Sequence, residues 1–179
     1  QHGIPYYYPG YIVPGYKRFD YKLRIGDVEY YDLRTAKWQP YNRLKPDDIP
    51  ITTMQNKLAA LQESLSRLHV SSKVLFYPLF EANLFSLWRV AYFDYPVLLH
   101  CCPGDDAHYS YIVAYDVREE AYILFKCSPF EDVNMIVNET YLMRLDRDRY
   151  FAQLLVVDHK LWQSNVAMEI ADILRLISA

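Results

Sequence analysis

The sequence predicts an α+β fold in which an antiparallel sheet packs on helices. Segments with helical apolar spacing come first and short apolar strands follow them, without the regular alternation of a parallel α/β sheet. The chain has 179 residues and is 52% hydrophobic, enough for one domain with a sizeable core. We therefore expect an extended Tyr/Pro-rich arm over 1–50, a core domain over 51–158 and a C-terminal amphipathic helix over 159–179.

The predicted arm is punctuated by prolines. Proline fixes φ and lacks a backbone donor, which argues against a helix or a central strand there. The aromatic side chains are costly to leave in water, so the arm is expected to lie ordered across its own domain or a partner. A short strand pair over 23–31, turning near Gly26 and Asp27, is compatible with this. The tyrosines expected to contact a partner are Tyr6, Tyr7, Tyr8, Tyr11 and Tyr16.

The core domain begins with a predicted helix that Thr52 or Thr53 could cap. A strand is expected over 74–77, a second helix over about 80–92, and strands over 97–101, 109–115, 121–126 and 153–157, with a turn at 116–120. Two apolar stripes at helical spacing mark the first and last helices: Leu58, Leu61, Leu65 and Leu68 in one, and Val166, Ile170, Ile173, Leu174 and Ile177 in the other.

Charge and composition narrow the function classes. The net charge of −3 is spread along the chain, and acidic residues offset the basic ones near the front, so nucleic acid is not an expected partner. No apolar run reaches the ~20 residues of a membrane-spanning helix. With five glycines and no Gly-rich phosphate loop, no cofactor is expected. Gln1 is interpreted as a processed or trimmed end, and a mitochondrial or other intracellular compartment is favoured.

Three cysteines cannot all pair, and adjacent cysteines rarely bridge each other. Reduced, buried thiols are the simplest interpretation of Cys101, Cys102 and Cys127. A zinc site built with His100 and His108 is disfavoured, because neighbours on a strand point to opposite faces and the usual Cys-x-x-Cys spacing is absent. No metal is therefore expected.

One stretch resembles a known family. Pro96-Val97-Leu98-Leu99, a short loop, Ala107-His108-Tyr109 and a strand ending in Ser128-Pro129 are similar to the bacteriocin-processing peptidases, which are papain-like cysteine peptidases. The resemblance covers about a third of the chain, over 95–157. It implies a papain-like domain in which His108 matches the general base and Ser128 takes the place of the Asp or Asn that orients the imidazole.

Two features of that family are not found in this chain. A serine supplies no negative charge to support an imidazolium. The family's cysteine at the start of the first long helix is missing, since no cysteine precedes Cys101. The resemblance thus implies a domain that has kept the fold and lost the activity.

The sequence leaves three hypotheses for function. The first is a non-catalytic accessory subunit of a larger assembly, for example a mitochondrial complex, that binds other subunits through the arm and the C-terminal helix. The alternative is a cysteine-dependent peptidase or hydrolase using His108 with Cys101 or Cys102, which would need a cationic neighbour to lower the thiol pKa. A third is a piece of a peptidase whose nucleophile lies elsewhere in a longer chain.

Overall fold

The computed structural model describes residues 6–10, 12, 17–80, 90–101, 109–130 and 144–178. The chain divides into two compact units, Gln1–Lys45 and Pro46–Ala179. The predicted boundary lay after residue 50, whereas the structure places residues 46–50 with the second unit.

The first unit contains a 3-10 helix, Lys17–Arg24, and an antiparallel hairpin of β1, Glu29–Asp32, and β2, Lys37–Pro40. The Asp32 carboxylate organises the turn by accepting hydrogen bonds from the Arg34 backbone N–H at 3.0 Å and the Thr35 hydroxyl at 2.8 Å. Such local side-chain bonds are a common way to build a turn. Pro40 ends the hairpin, where a missing backbone donor is tolerated.

These findings correct two predictions for the arm. A helix was not expected, but residues 17–24 contain no proline, so nothing in that stretch prevents helical turns. The strand pair was expected to turn at Gly26 and Asp27, whereas the turn lies between Asp32 and Lys37. The hydrogen bonds to the Asp32 carboxylate account for the position of the turn.

The second unit is α+β, as predicted. After a 3-10 turn at Pro46–Asp48, the described residues form α1, Pro50–Arg67, then five strands and α2, Ala167–Ile177. All neighbouring strands are antiparallel, and their order in the sheet is their order in the chain. The strands are β3, Ser72–Phe76; β4, Val97–Cys101; β5, Ser110–Asp116; β6, Ala121–Pro129; and β7, Leu155–Ser164.

Helix α1 begins earlier than predicted. Its first residue is Pro50, which suits the first helical position, and Ile49 is the N-cap without a side-chain hydrogen bond. Thr53 is therefore not the cap: its hydroxyl lies 3.3 Å from the Asp47 carbonyl and 3.5 Å from the Ile49 carbonyl. The predicted stripe is confirmed for Leu58, Leu61 and Leu65, which are fully buried.

The two faces of the sheet have different coverings. Residues paired directly across strands share a face, so Leu99, Val113 and Leu124 lie together in one row. This face packs against α1 and α2, which also contact each other. The opposite face carries His100, Ile112 and Phe125 in register, and it packs on an aromatic layer formed by Tyr77, Tyr92, Phe93 and Phe151.

The edge strands are partly covered by other segments. At β3, the Phe76 N–H donates to the Arg149 carbonyl and the Phe151 N–H donates to the Phe76 carbonyl, each at 2.9 Å. At β7, the Val157 N–H donates to the Ala91 carbonyl at 2.7 Å. Further along β7, two register shifts against β6 leave Asp158 and Leu161 as extra residues. Such bulges protect an edge strand from pairing with other chains.

Several predicted boundaries change. Strand β4 is confirmed residue for residue, and β5 and β6 lie within a few residues of their predicted bounds. Strand β7 runs to Ser164, so the last helix starts at Ala167 and not at 159. Most of the second predicted helix, 81–89, lies outside the described residues, and its predicted end is wrong because Tyr92 forms a bridge with Val156.

Candidate functional site

Two of the four sequence-predicted site residues can be placed. Cys101 is the last residue of β4, and Ser128 lies near the end of β6. Cys102 and His108 fall outside the described residues, as do Tyr11 and Tyr16 of the predicted arm contacts. The described part of the candidate site therefore consists of Cys101, Ser128 and the groups around them.

Cys101 is fully buried on the face of the sheet that the helices cover. Its neighbours across the strands are Ser72 on β3 and Tyr111 on β5. The thiol lies 3.8 Å from the Leu99 carbonyl oxygen, which is a weak hydrogen bond for sulfur. A nucleophile must be reached by its substrate, so this burial argues against Cys101 in a catalytic role.

Ser128 has an acidic partner that the sequence did not reveal. Its hydroxyl donates to the Asp158 carboxylate at 2.6 Å, which is a short, charge-assisted hydrogen bond. Asp158 is one of the two bulge residues of β7, and a bulge can redirect a side chain. The two residues are 30 positions apart, so only the pairing of β6 with β7 brings them together. Sequence spacing alone holds no signal for this contact.

Cys127 is the second described cysteine, and it is also fully buried. It lies opposite Ser110 on β5 and belongs to the aromatic layer's core cluster. Burial, with a smaller contribution from the negative charge of Asp158, raises the pKa of the Cys127 thiol to about 12. The thiol is therefore protonated at physiological pH and is a poor nucleophile.

His100 is the one histidine of the described sheet core, and it points away from Cys101. Adjacent residues of a strand alternate between faces, so the imidazole lies on the aromatic side. Its Nε2 is 3.2 Å from the Ser110 hydroxyl, and its ring packs edge-on against Phe151 with centroids 5.2 Å apart. Burial lowers the pKa of His100, which favours the neutral imidazole. His100 and Cys101 thus do not form a catalytic pair.

A small cleft lies beside β3, with a volume of about 140 Å³. This is well below the ~300–1,000 Å³ of typical ligand pockets. Its rim carries an exposed ion pair, since the Lys73 ammonium is 2.7 Å from the Asp148 carboxylate. That contact holds the pKa of Asp148 below its usual value. The lining residues are Gln55, Val74, Leu75, Phe76, Val97, Asp148 and Arg149.

Large aromatic and apolar side chains are exposed on both units. In the first unit, Tyr31 and Trp38 face each other across the hairpin with ring centroids 5.3 Å apart, and Tyr8 packs on Trp38 at 5.7 Å. All three rings remain exposed. The exposed set of the second unit near its C-terminus is Leu161, Trp162, Val166, Met168, Leu176 and Ile177.

No metal-binding group of three or more His, Cys, Asp and Glu side chains occurs within the described residues. Of the helices in those parts of the chain, none is long and apolar enough to span a bilayer. Comparison with protein-family models, with curated proteins and with solved structures found no match for this chain.

Proposed function

We propose that this chain is a non-catalytic accessory subunit of a larger protein assembly. The observation that carries the proposal is the exposure of large aromatic and apolar side chains, around Trp38 in the first unit and on β7 and α2 in the second. Large exposed apolar patches on a protein surface mark sites of interaction. Tyrosine and tryptophan are the residues most enriched where protein interfaces gain their energy.

The thiol chemistry supports a non-catalytic role. Both described cysteines lie in the core, one on each face of the sheet, and neither is open to substrate. The alternative hydrolase would then depend on Cys102 with His108. Ser128, which the family resemblance places beside His108 in that hydrolase, already donates a hydrogen bond from its hydroxyl to the Asp158 carboxylate.

We further propose that the second unit is a degenerate papain-like domain of the bacteriocin-processing type. Support comes from the order of its elements: a long helix followed by antiparallel strands, with Ser128 and Pro129 at the end of β6. Pro96 directly precedes β4, and Tyr109, next to His108, directly precedes β5. A mitochondrial complex is the proposed setting.

Crosslinking mass spectrometry on the gently extracted native particle tests this function. The amine-reactive positions of choice are Lys17, Lys37 and Lys45, which are all exposed in the first unit. Lys22 serves as the internal control, because it is buried and should crosslink poorly. The proposal predicts crosslinks from the exposed lysines to other polypeptides. Crosslinks confined to this chain would contradict it.

A further inference from the structure

The outer edge of strand β3 is paired at Phe76 and unpaired at Val74. The Phe76 N–H donates to the Arg149 carbonyl, and the Phe76 carbonyl accepts from the Phe151 N–H. Backbone groups point to the same edge of a strand at every second residue, so the N–H and C=O of Val74 also point outward, away from β4. Neither of these two groups has a hydrogen-bond partner among the described residues. The edge therefore carries a free donor and a free acceptor at Val74.

A turn in the neighbouring segment leaves this part of the edge unpaired. Tyr150 bridges Phe76 in parallel, and the same pairing continued by two residues would direct the Arg149 N–H to the Val74 carbonyl. Instead, the Arg149 and Tyr150 N–H groups both donate to the Asp146 carbonyl, at 3.0 Å and 2.8 Å. The chain thus turns away from β3 next to Val74.

The small cleft beside β3 lies at this unpaired position. Val74 and Phe76 share one face of β3, and Val97 lies opposite Phe76 on β4, so all three side chains are on the face that α1 covers. Gln55 of α1 also lines the cleft. An apolar floor therefore lies beside the free backbone groups. Its volume of about 140 Å³ suits a small side chain better than a compact ligand.

The charged groups at the rim do not close this edge. Lysine on an edge strand often discourages pairing, but Lys73 lies opposite His100 and so on the other face of the sheet. Its ammonium contacts the Asp148 carboxylate at 2.7 Å, and exposed ion pairs of this kind contribute little to stability. The Arg149 guanidinium lies 6.0 Å from the centre of the Tyr150 ring. A ligand residue that faces Val74 is therefore expected to be apolar and uncharged.

We infer that the edge of β3 at Val74 binds a short extended segment of a partner polypeptide, which adds a strand to the sheet and places a small apolar side chain in the cleft. This inference rests on the proposed function, because it states how one partner of the assembly is held. A peptide backbone supplies the acceptor and donor that Val74 lacks, and such addition to a sheet edge is a common mode of recognition. The expected direction is antiparallel, because one residue then bonds both groups of Val74.

Titration of the isotopically labelled full chain, followed by NMR at the amides of residues 72–75, tests the inference. The probes are end-capped Ser-Val-Ser-Val-Ser, the same peptide N-methylated on its valines, and the same peptide N-methylated on its serines. In the antiparallel arrangement the valine amides face β3 and the serine amides face solvent. Methylated valines should weaken binding at least about tenfold, and methylated serines less than about twofold.

The other results of this titration are equally informative. Loss of binding with methylated serines alone would keep the site and reverse the direction of the strand. Equal effects of the two methylations would overturn the inference, because pairing uses one edge of the peptide. Failure of the unmodified peptide to bind at concentrations of about 1 mM would also overturn it.

A matched pair of variants locates the site. Val74→Pro removes the outward N–H, which takes no part in the pairing with β4, and proline is tolerated at such edge positions. It should weaken binding of the unmodified peptide at least about tenfold, whereas Val74→Thr keeps the N–H and the branched shape and should change affinity less than about threefold. The spectrum of the rest of the chain shows whether each variant is folded, and the methylated peptides decide the question if Val74→Pro is not. Equal affinities of Val74→Pro and the parent chain would refute the assignment.

A second copy of this chain is the rival occupant of the edge. It predicts that the full chain alone forms a dimer, which sedimentation would detect, and that Val74→Pro abolishes this dimer. That result would overturn the assignment to a partner of different sequence.

Hydrogen exchange separates this inference from the proposed function. The Val74 amide should exchange at least about tenfold more slowly in the native particle than in the isolated chain, while the Leu75 amide, which faces β4, should exchange alike in both. If the particle contains other polypeptides but Val74 exchange is unchanged and the peptide does not bind, the subunit role stands and the binding edge is wrong. If the chain is a lone monomer in its source, the subunit role fails, and the peptide titration still decides whether the edge binds a strand.

Discussion

At the scale of single residues, the two cysteines that the structure describes are both enclosed by the packing around the sheet. Cys101 and Cys127 lie on opposite faces, and both are fully buried, which confirms the sequence interpretation of buried thiols for these two. The sequence also put Ser128 at the end of a strand, as the structure does. The sequence could not reveal the hydrogen bond between Ser128 and Asp158, because that contact depends on the pairing of β7 with β6 and on the bulge in β7.

The buried thiols give a prediction at this scale. At about pH 8, iodoacetamide should alkylate Cys101 and Cys127 at least about a hundredfold more slowly in the native chain than in the chain unfolded by guanidinium. The reason is that the reagent reaches buried thiols only when the core transiently opens. Labelling followed site by site with mass spectrometry measures this. Rapid native alkylation of Cys101 would restore it as a candidate nucleophile.

The pKa of Cys127 gives a second residue-scale prediction. The folded chain keeps the thiol proton up to a pKa of about 12, whereas the unfolded chain releases it near 9.0. The unfolded state therefore binds fewer protons between these values, and the free energy of unfolding should fall as pH rises above about 9. Urea unfolding at about pH 8 and pH 10 measures the slope. The Cys127→Ala variant, compared at the same two values, should show a shallower decline, and an unchanged slope would count against the assignment.

At the scale of elements, apolar runs predicted the buried strands well because their side chains face the core on both sides. Strand β4 has four fully or nearly fully buried residues, and its bounds were predicted as observed. The far half of β7 was missed because residues 158–164 are mostly exposed and polar, and pairing with β6 makes them a strand. The hairpin turn was missed because a side-chain bond of Asp32, and not a glycine, forms it.

Helix α2 offers a matched pair of substitutions. Leu174 is fully buried against the sheet and α1, whereas Leu176, two residues on, is 72% exposed. Leu174→Ala should lower the free energy of unfolding by about 2–5 kcal/mol, through lost burial and a cavity. Leu176→Ala should change it by no more than about 0.5 kcal/mol. Denaturant unfolding of both variants decides this, and similar losses at the two positions would mean that α2 is not packed as described.

At the scale of the whole molecule, the division into two units changes how the charge is understood. The net charge of −3 argued against nucleic acid as a partner, but it is the sum of a first unit of +4, with eight Lys and Arg against four Asp and Glu, and an acidic remainder. Both charges can be counted from the sequence, but the charge of the first unit can be counted only once the boundary after Lys45 is known. Exposure is likewise a property of the fold, since tyrosines such as Tyr31 and Tyr77 look alike in sequence while the second is buried.

The mass of the native particle that contains this chain tests the central claim most directly. Native mass spectrometry of the gently extracted material should give a particle far heavier than the 21.3 kDa chain and containing other polypeptides. A lone monomer at the mass of a single chain would contradict the subunit role, and it would return attention to His108 and Cys102 as the remaining route to an enzyme.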